Sequence, residues 1–424
     1  MTDFAGPPSS DPPSRAAWSP FARAEDRAAA WATVEEIGGE LSRAADSGEL
    51  ENADLAVGSS GVALFLRELA LETRDSEHLE RSDRLLSQAI DQVAARPYGA
   101  SFFGGFPGVS WALGYTEGFE SGDELSGVEL AIAKALRRKD WQLYDVVAGV
   151  VGLSVLAMAR WPGRFSEEAL ELVVDRLEEI SERAPESGLW FVTPELLVAD
   201  AREQYPRGAV NLGLAHGIPC AIAALAGIVE RGCAADRAGA LLSRSIEALL
   251  SHRMQDGRFP AWAAPNMTPT PSRIAWCYGE PGIAISLLHA ARVVGRADWL
   301  AEGRNVALQA SSVSFDESGV KDAGICHGAA GLSLIFARLH SALGEPRLLD
   351  SARFWYGRTL QMSVAGRGIA GYAARGWKNG AETWSRDPGI LTGVAGIGLV
   401  LLAGLTDRAP DWDQLLLVSL PELG

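Results

Sequence analysis

Arg273–Leu288 reads RIAWCYGEPGIAISLL: a cysteine and a tyrosine, a Gly-x-x-Gly step, then an apolar run. Forty-nine residues beyond Cys277 the chain repeats itself with GICHGAAGLSLIFARL, which places Cys326 and His327 just before Gly328. The same unit recurs as GSSGVALFL from Gly58, GFPGVSWAL from Gly105, GVVGLSVLA from Gly149, GIPCAIAAL from Gly217 and GVAGIGLVL from Gly393. With 46 glycines in 424 residues, about five Gly-x-x-Gly pairs arise by chance, so the bare step means little. The weight lies elsewhere: all seven units open an apolar segment, and amphipathic segments such as SEEALELVVDRLEEISER lie between them. Their starts are 44 to 68 residues apart, irregular but within reach of a helix-pair repeat with loop insertions.

Strand patterning is weak, and Ala and Leu dominate. The segments that are apolar all round belong inside and the amphipathic ones outside. The expected fold is therefore all-α: an α/α toroid, a double ring of about seven inner and seven outer helices. Glycine at the inner helix starts lets backbones crowd together where the ring narrows. Residues 1–22, rich in Pro, Ser and Ala, read as a disordered arm, and 23–424 as one domain. Loop insertions are expected around 158–210 and 252–272, with LWFVTPELL and HRMQDGRFPAWAAPNMTPTPS as substrate-facing segments.

Composition narrows the classes of function. The net charge of −16 disfavours nucleic acid, whose binding needs Lys and Arg to neutralise phosphates, and equally an anionic membrane face. The first twenty residues lack the apolar core of a signal peptide, which points to a cytoplasmic protein. The longest apolar run, Ile390–Leu405, is short and glycine-rich for a spanning helix and reads as buried helix. Four cysteines in so long a chain favour metal or catalytic use over a disulfide framework. Sparse lysine against abundant arginine suits a GC-rich bacterial genome.

Position within the repeat then gathers the chemistry. Cys277 and Cys326 each stand two residues before the first glycine of their unit, and His327 and His216 stand one before. Tyr278 shares that last offset, Asp145 lies four before Gly149, and Arg273 four before Cys277. Equivalent offsets in consecutive repeats mean neighbouring places on one rim, where the inner-helix N-termini also point. Two cysteines and a histidine are good zinc ligands, and three protein ligands leave the fourth tetrahedral position open. Helix N-termini favour the thiolate forms. Two thiolates neutralise the ion, leaving a mild Lewis acid suited to holding a third, substrate thiolate. The chemistry implied is sulfur transfer.

In this order DVVAGVVG, NLGLAHGIP, WCYGEPG and CHGAAG resemble the lanthipeptide (lantibiotic) cyclases, the LanC-like family, over roughly Gly58 to Leu405. That resemblance implies an α/α toroid with a single zinc. It implies closure of thioether rings by adding a precursor peptide's cysteine thiol to a dehydroalanine or dehydrobutyrine. Cys277, Cys326 and His327 would then be the zinc ligands, His216 the acid/base histidine and Asp145 its nearby carboxylate. Arg273 and Tyr278 match the remaining site residues. The implied partners are a dehydrated precursor peptide (leader plus core), with a dehydratase and an exporter in a biosynthetic complex. The length suits a free-standing cyclase. The sequence departs from the family at Cys220, where glycine is usual.

Plainer readings stand beside these. The cysteines can be small core residues at tight helix starts, His216 a satisfied core histidine, and Asp145 a helix cap. Arg273 can pair with a structural carboxylate, and Tyr278 can simply pack. A different class of function is a LanC-like protein that binds glutathione or a partner without making rings. A third keeps only the barrel, as a glycosidase or terpene cyclase; it needs paired carboxylates or an Asp-rich magnesium site, and leaves the matched cysteines unexplained.

Overall fold

A computed structural model describes residues 18–119, 126–197, 199–378 and 380–423. In chain order its α-helices are α1 (Ala24–Ser47), α2 (Ser59–Thr73), α3 (Ser76–Ala95), α4 (Phe106–Glu117), α5 (Gly127–Leu136), α6 (Val150–Ala159), α7 (Arg164–Ser181), α8 (Ala199–Gln204), α9 (Ile218–Glu230), α10 (Ala235–Ser251), α11 (Glu280–Val294), α12 (Ala297–Ala310), α13 (Phe315–Ser318), α14 (Ala329–Leu343), α15 (Pro346–Gln361) and α16 (Val394–Leu405). Helices α2, α4, α6, α9, α11, α14 and α16 follow the seven glycine steps. Each packs on the next, and α16 returns to pack on α2, so the inner ring closes. Helices α3, α5, α7, α10, α12 and α15 lie outside α2, α4, α6, α9, α11 and α14. The seventh outer helix is α1, which covers α16 and so joins the start of the ring to its end. The fold is the expected toroid.

Sequence decides which helix goes where. Every residue of α16, VAGIGLVLLAGL, is buried, so the longest apolar run of the chain is core. Outer helix α7 buries one stripe, Leu170, Val173, Val174, Leu177 and Ile180, and turns its acidic face to water. Two of the outer helices begin with side-chain caps: Asp75 accepts from the Glu77 N–H before α3, and Ser126 and Glu129 form a capping box on α5. The inner helices begin with glycine and have no such cap. Their first N–H groups donate instead to carbonyls of their own entry loops, as from Ser59 to Asn52, Val150 to Leu143, Ala329 to Asp322 and Val394 to Asp387. The loop therefore curls back under the helix it feeds. A Cβ at Gly331 would stand 1.9 Å from the Ile325 carbonyl oxygen, and Gly279 has φ 92°, where a side chain is strained. The crowding predicted for these glycines is thus chiefly against the loop that leads into the same helix.

The seven entry loops form a belt. The residue two before each first glycine is hydrogen-bonded through its backbone to the loop beside it: Ala56 donates to Phe103, Phe103 to Val147, and Ala215 to Cys277. Cys277 then donates to Cys326, Cys326 to Leu391, and Ile390 back to Ala56, while Val146 donates to Ala215. Seven loops are laced into one circle, with the inner helix N-termini all opening on it.

Beyond the helices the chain forms two small sheets that helical periodicity does not foresee. Strands β1 (Phe191–Val192), β2 (Ala209–Asn211) and β3 (Trp262–Ala263) pair antiparallel, and β4 (Ala374–Lys378) pairs with β5 (Ala381–Ser385). The first sheet unites the two expected insertions. The segment 158–210 is not all insertion, since it contains outer helix α7. Residues 1–17 of the expected arm lie outside the described residues. Its last part is packed: Trp18 and Phe21 are buried, and the Trp18 indole donates to the Ala403 carbonyl at 2.8 Å. The described packing therefore starts at Trp18, ahead of the expected boundary after residue 22. No helix among the described residues is long and apolar enough to cross a membrane.

Candidate metal centre and reaction cleft

Four consecutive loops of the belt bring the predicted residues together: Asp145 before α6, His216 before α9, Cys277 before α11, and Cys326 with His327 before α14. The donor atoms of Cys277, Cys326 and His327 all lie within 4.8 Å of one another, the one group of this kind among the described residues. Zn–S bonds of about 2.3 Å at the tetrahedral angle put two sulfurs roughly 3.8 Å apart, so the three donors fit one ion with small shifts. Cys277 and His327 are buried and Cys326 is partly exposed, which leaves access from the cleft.

The surroundings of these donors are electrostatically ordered. The Cys277 thiol is hydrogen-bonded to Cys326 and faces His327 and the Arg273 guanidinium, which together hold its pKa well below the ordinary thiol value against the effect of burial. Arg273 Nη2 donates to Cys277 Sγ at 3.4 Å. Cys326, sharing that hydrogen bond, with its thiol largely withdrawn from water and beside the Cys277 charge, is pushed well up. Burial would lower His327, but Asp322 and Cys277 raise it to about 9. The Asp322 carboxylate lies 3.0 Å from His327 Nε2, and neither buried atom has another hydrogen-bond partner. Nε2 is thereby committed to Asp322, and Nδ1 is left as the donor for an ion, the usual carboxylate–histidine support of a metal ligand. Asp322 was not foreseen; its signal was a carboxylate five residues before a candidate ligand on a tightly curled loop.

His216 stands one loop away, its side chain 42% exposed to the cleft. Its Nδ1 lies 3.4 Å from Asp145 Oδ2, so Nε2 faces the open space. Burial by the cleft walls works to lower its pKa, but the Asp145 contact and the Cys277 charge prevail and raise it. Asp145 Oδ1 also accepts from the Ala148 N–H at 2.7 Å. Asp145 is not the cap of α6, whose N-cap is Gly149 with no side-chain bond; one of its oxygens braces the entry loop and the other meets His216.

Tyr278 is fixed through Asn211, another residue the sequence pattern missed. Asn211 Oδ1 accepts from the Gly213 N–H at 2.9 Å, which sets the amide's orientation. Its Nδ2 must then donate to the Tyr278 hydroxyl, 3.1 Å away. The tyrosine keeps its own proton for an acceptor in the cleft. The Arg273 guanidinium lies 5.9 Å from the centre of the same ring. On the other flank the β4–β5 hairpin overhangs the centre, with the exposed Trp377 ring 6.1 Å from that of His327. Cys220 takes no part: it is fully buried, its thiol pushed well up by burial, and it lies outside the donor group. Cys233 is likewise core.

A family model described as "Lanthionine synthetase C-like protein" matches residues 49–417, most of the chain and all of the site. This chain belongs to the lanthionine synthetase C-like family. Within the LanC-like family, it is 22% identical to the nisin biosynthesis protein NisC of Lactococcus lactis subsp. lactis over 338 residues, covering 73% of this chain and 77% of that protein. It is 34% identical to glutathione S-transferase LANCL1 of Danio rerio over 80 residues, which span only 19% of either protein. Among solved structures, that of nisin cyclase superposes with a TM-score of 0.75 at 19% identity, covering 91% of this chain and 96% of that one. The shared LanC toroid is what this last likeness establishes.

Proposed function

We propose that this protein is a zinc-dependent lanthipeptide cyclase, forming thioether rings by adding cysteine thiols of a dehydrated precursor peptide to its dehydroalanine or dehydrobutyrine residues. The observation that carries the reading is the juxtaposition of the Cys277–Cys326–His327 group with the His216–Asp145 pair, one loop apart on the same rim. When bound, zinc supplies an open ligand position that takes up a thiol and lowers its pKa. Cys277, Cys326 and His327 would hold it, with Asp322 fixing the His327 ring.

The remaining residues handle the charge and the proton. Attack of sulfur on the β-carbon leaves an enolate, whose negative oxygen needs donors. The Tyr278 O–H and the Arg273 guanidinium would supply them. The α-carbon then needs a proton. His216, its pKa raised and its Nδ1 held by Asp145, is the acid that delivers it from Nε2. The S–C bond forms, the C=C bond is lost, and the proton given by the thiol is balanced by the one His216 gives to carbon.

The direct test is incubation with a dehydrated precursor peptide, followed by alkylation of free thiols and mass spectrometry. Cyclisation conserves mass, so loss of alkylation is the signature. Unchanged alkylation by the metal-loaded protein overturns the reading. The local likeness to a glutathione S-transferase favours a second reading, in which glutathione supplies the thiol. Glutathione added to the same assay would then leave a heavier peptide adduct in place of a ring. A dehydratase supplying the substrate and an exporter removing the product remain the partners proposed by family.

A further inference from the structure

An apolar cavity of about 340 Å³ adjoins the reaction cleft, and neither the metal donors nor Arg273 line it. Its mouth is shared with the site, since His216, Asp145, Tyr278 and Asn211 form one wall. The opposite walls come from the two insertions and α7: Ile180, Trp190, Phe191, Leu196, Leu197 and Trp262. Those walls are braced. The Trp190 indole donates to Ser245 Oγ at 2.9 Å and packs on Tyr144 with ring centres 4.7 Å apart, while Trp262 stacks on Tyr205 at 5.4 Å. Strand β2, which ends in Asn211, ties the small sheet to the loop of His216. The space is therefore built against the reacting centre, on its proton-donor side. The charged Arg183 at its edge is turned to backbone carbonyls of Trp141 and Gln142.

We infer that this cavity is a specificity pocket for an aliphatic or aromatic side chain of the peptide substrate, next to the dehydro residue on the side away from the attacking cysteine. The inference rests on the cyclase reading. With the thiol at the metal donors and the α-carbon at His216, chain continuing past the dehydro residue on the His216 side meets this cavity, while the Trp377 hairpin stands on the opposite, metal-donor flank. A volume of this size suits one large side chain, and the mostly apolar lining beyond the His216 wall disfavours a polar one. Full burial of such a side chain favours an apolar neighbour over serine by about 10- to 100-fold.

Two measurements on the full chain test this. Ligand-observed NMR with N-acetyl-phenylalaninamide, N-acetyl-leucinamide and N-acetyl-serinamide reads the pocket without any turnover. The first two should bind at least about tenfold more tightly than the third, and Ala201→Trp, which fills the space, and Leu196→Asp, which charges it, should each remove the difference. Equal binding of the three amides, or an unchanged preference in both variants despite retained melting temperature, overturns the pocket. The second measurement compares kcat/KM for two dehydrated peptides with phenylalanine or serine beside the dehydroalanine. The wild type should prefer phenylalanine and Ala201→Trp should not; equal rates overturn the proposed role. If the amides bind as expected and neither peptide is cyclised, the pocket stands and the cyclase reading falls.

Discussion

The Cys277 backbone N–H donates to the Cys326 carbonyl at 3.1 Å, so the two thiols are presented by neighbouring turns of the same belt. Their proximity is a property of the ring, set by equal offsets from two glycines, and does not depend on an ion drawing them together. Cys326→Ala should therefore fold with an unchanged helical spectrum while losing stoichiometric zinc, read by metal analysis after dialysis. Full metal content in that protein refutes the proposed donor set.

Asp322 is the nearest test of the same centre from one step out. With Nε2 of His327 no longer anchored, Asp322→Asn should weaken zinc binding by about 10- to 100-fold, measured by competition with a chelator. Because the substituted amide can still accept from the Gly324 N–H that Asp322 Oδ1 now holds at 3.0 Å, the loop should survive. A variant with native zinc affinity denies the carboxylate that supporting role.

His216 and Asp145 separate the proton step from the metal step. His216→Ala should keep zinc and lose about 10²- to 10⁴-fold in cyclisation rate, the usual worth of a positioned acid. Asp145→Ala should do that and also lower the melting temperature, since the half-buried Ala148 N–H is left without its acceptor at a cost of about 1 kcal/mol. Loss of zinc from His216→Ala would move this residue into the metal set.

Sequence periodicity reached the ring and the rim because both follow from repetition. Inner helices are apolar all round, outer ones are not, and each chemical residue keeps a fixed distance from a glycine. Ring closure by α1 was less legible, since α1 precedes the first glycine step and carries no repeat signal. Asp322 and Asn211 escaped for a different reason. Both act through side chains of other residues, and their partners are defined only when the loop curls back under its helix. The sheets escaped because strands of two to five residues hold too few positions for alternation to show. The insertions could be located by repeat length alone, whereas their joining into one sheet depends on pairing across sequence.

Glu230 on α9 ties that helix to α11 through His289 and Arg292, with His289 Nε2 3.3 Å from its carboxylate. Burial works to raise its pKa, but the two partners outweigh it and hold the group at about 2, from an ordinary 4.5. A depressed carboxylate stabilises the folded state fully above its unfolded pKa and loses that contribution as pH falls through the folded one. The contribution, on the order of 2–3 kcal/mol, should be present above about pH 4.5 and fade towards pH 2. Denaturant midpoints of the wild type and Glu230→Gln should thus differ at pH 7 and converge near pH 2. A difference that is constant with pH assigns the effect to packing.

Gly331 links the fold to the chemistry. A methyl group here would sit 1.9 Å from the carbonyl oxygen of Ile325, the residue before Cys326, and the backbone has no flexible side chain to move aside. Gly331→Ala must push the entry loop outward or shift α14, at a cost of about 1–3 kcal/mol or more for overpacking. Pushing the loop carries Cys326 and His327 away from Cys277, whereas shifting the helix leaves them in place. Gly396, whose added methyl would likewise stand 1.9 Å from the Ile390 carbonyl, is the control, because its loop holds none of the metal donors. Both alanine variants should lower the melting temperature to a similar extent, and only Gly331→Ala should also lower zinc affinity. Equal zinc binding by the two would mean that the loop geometry at Cys326 is set by the belt alone, independently of the helix it feeds.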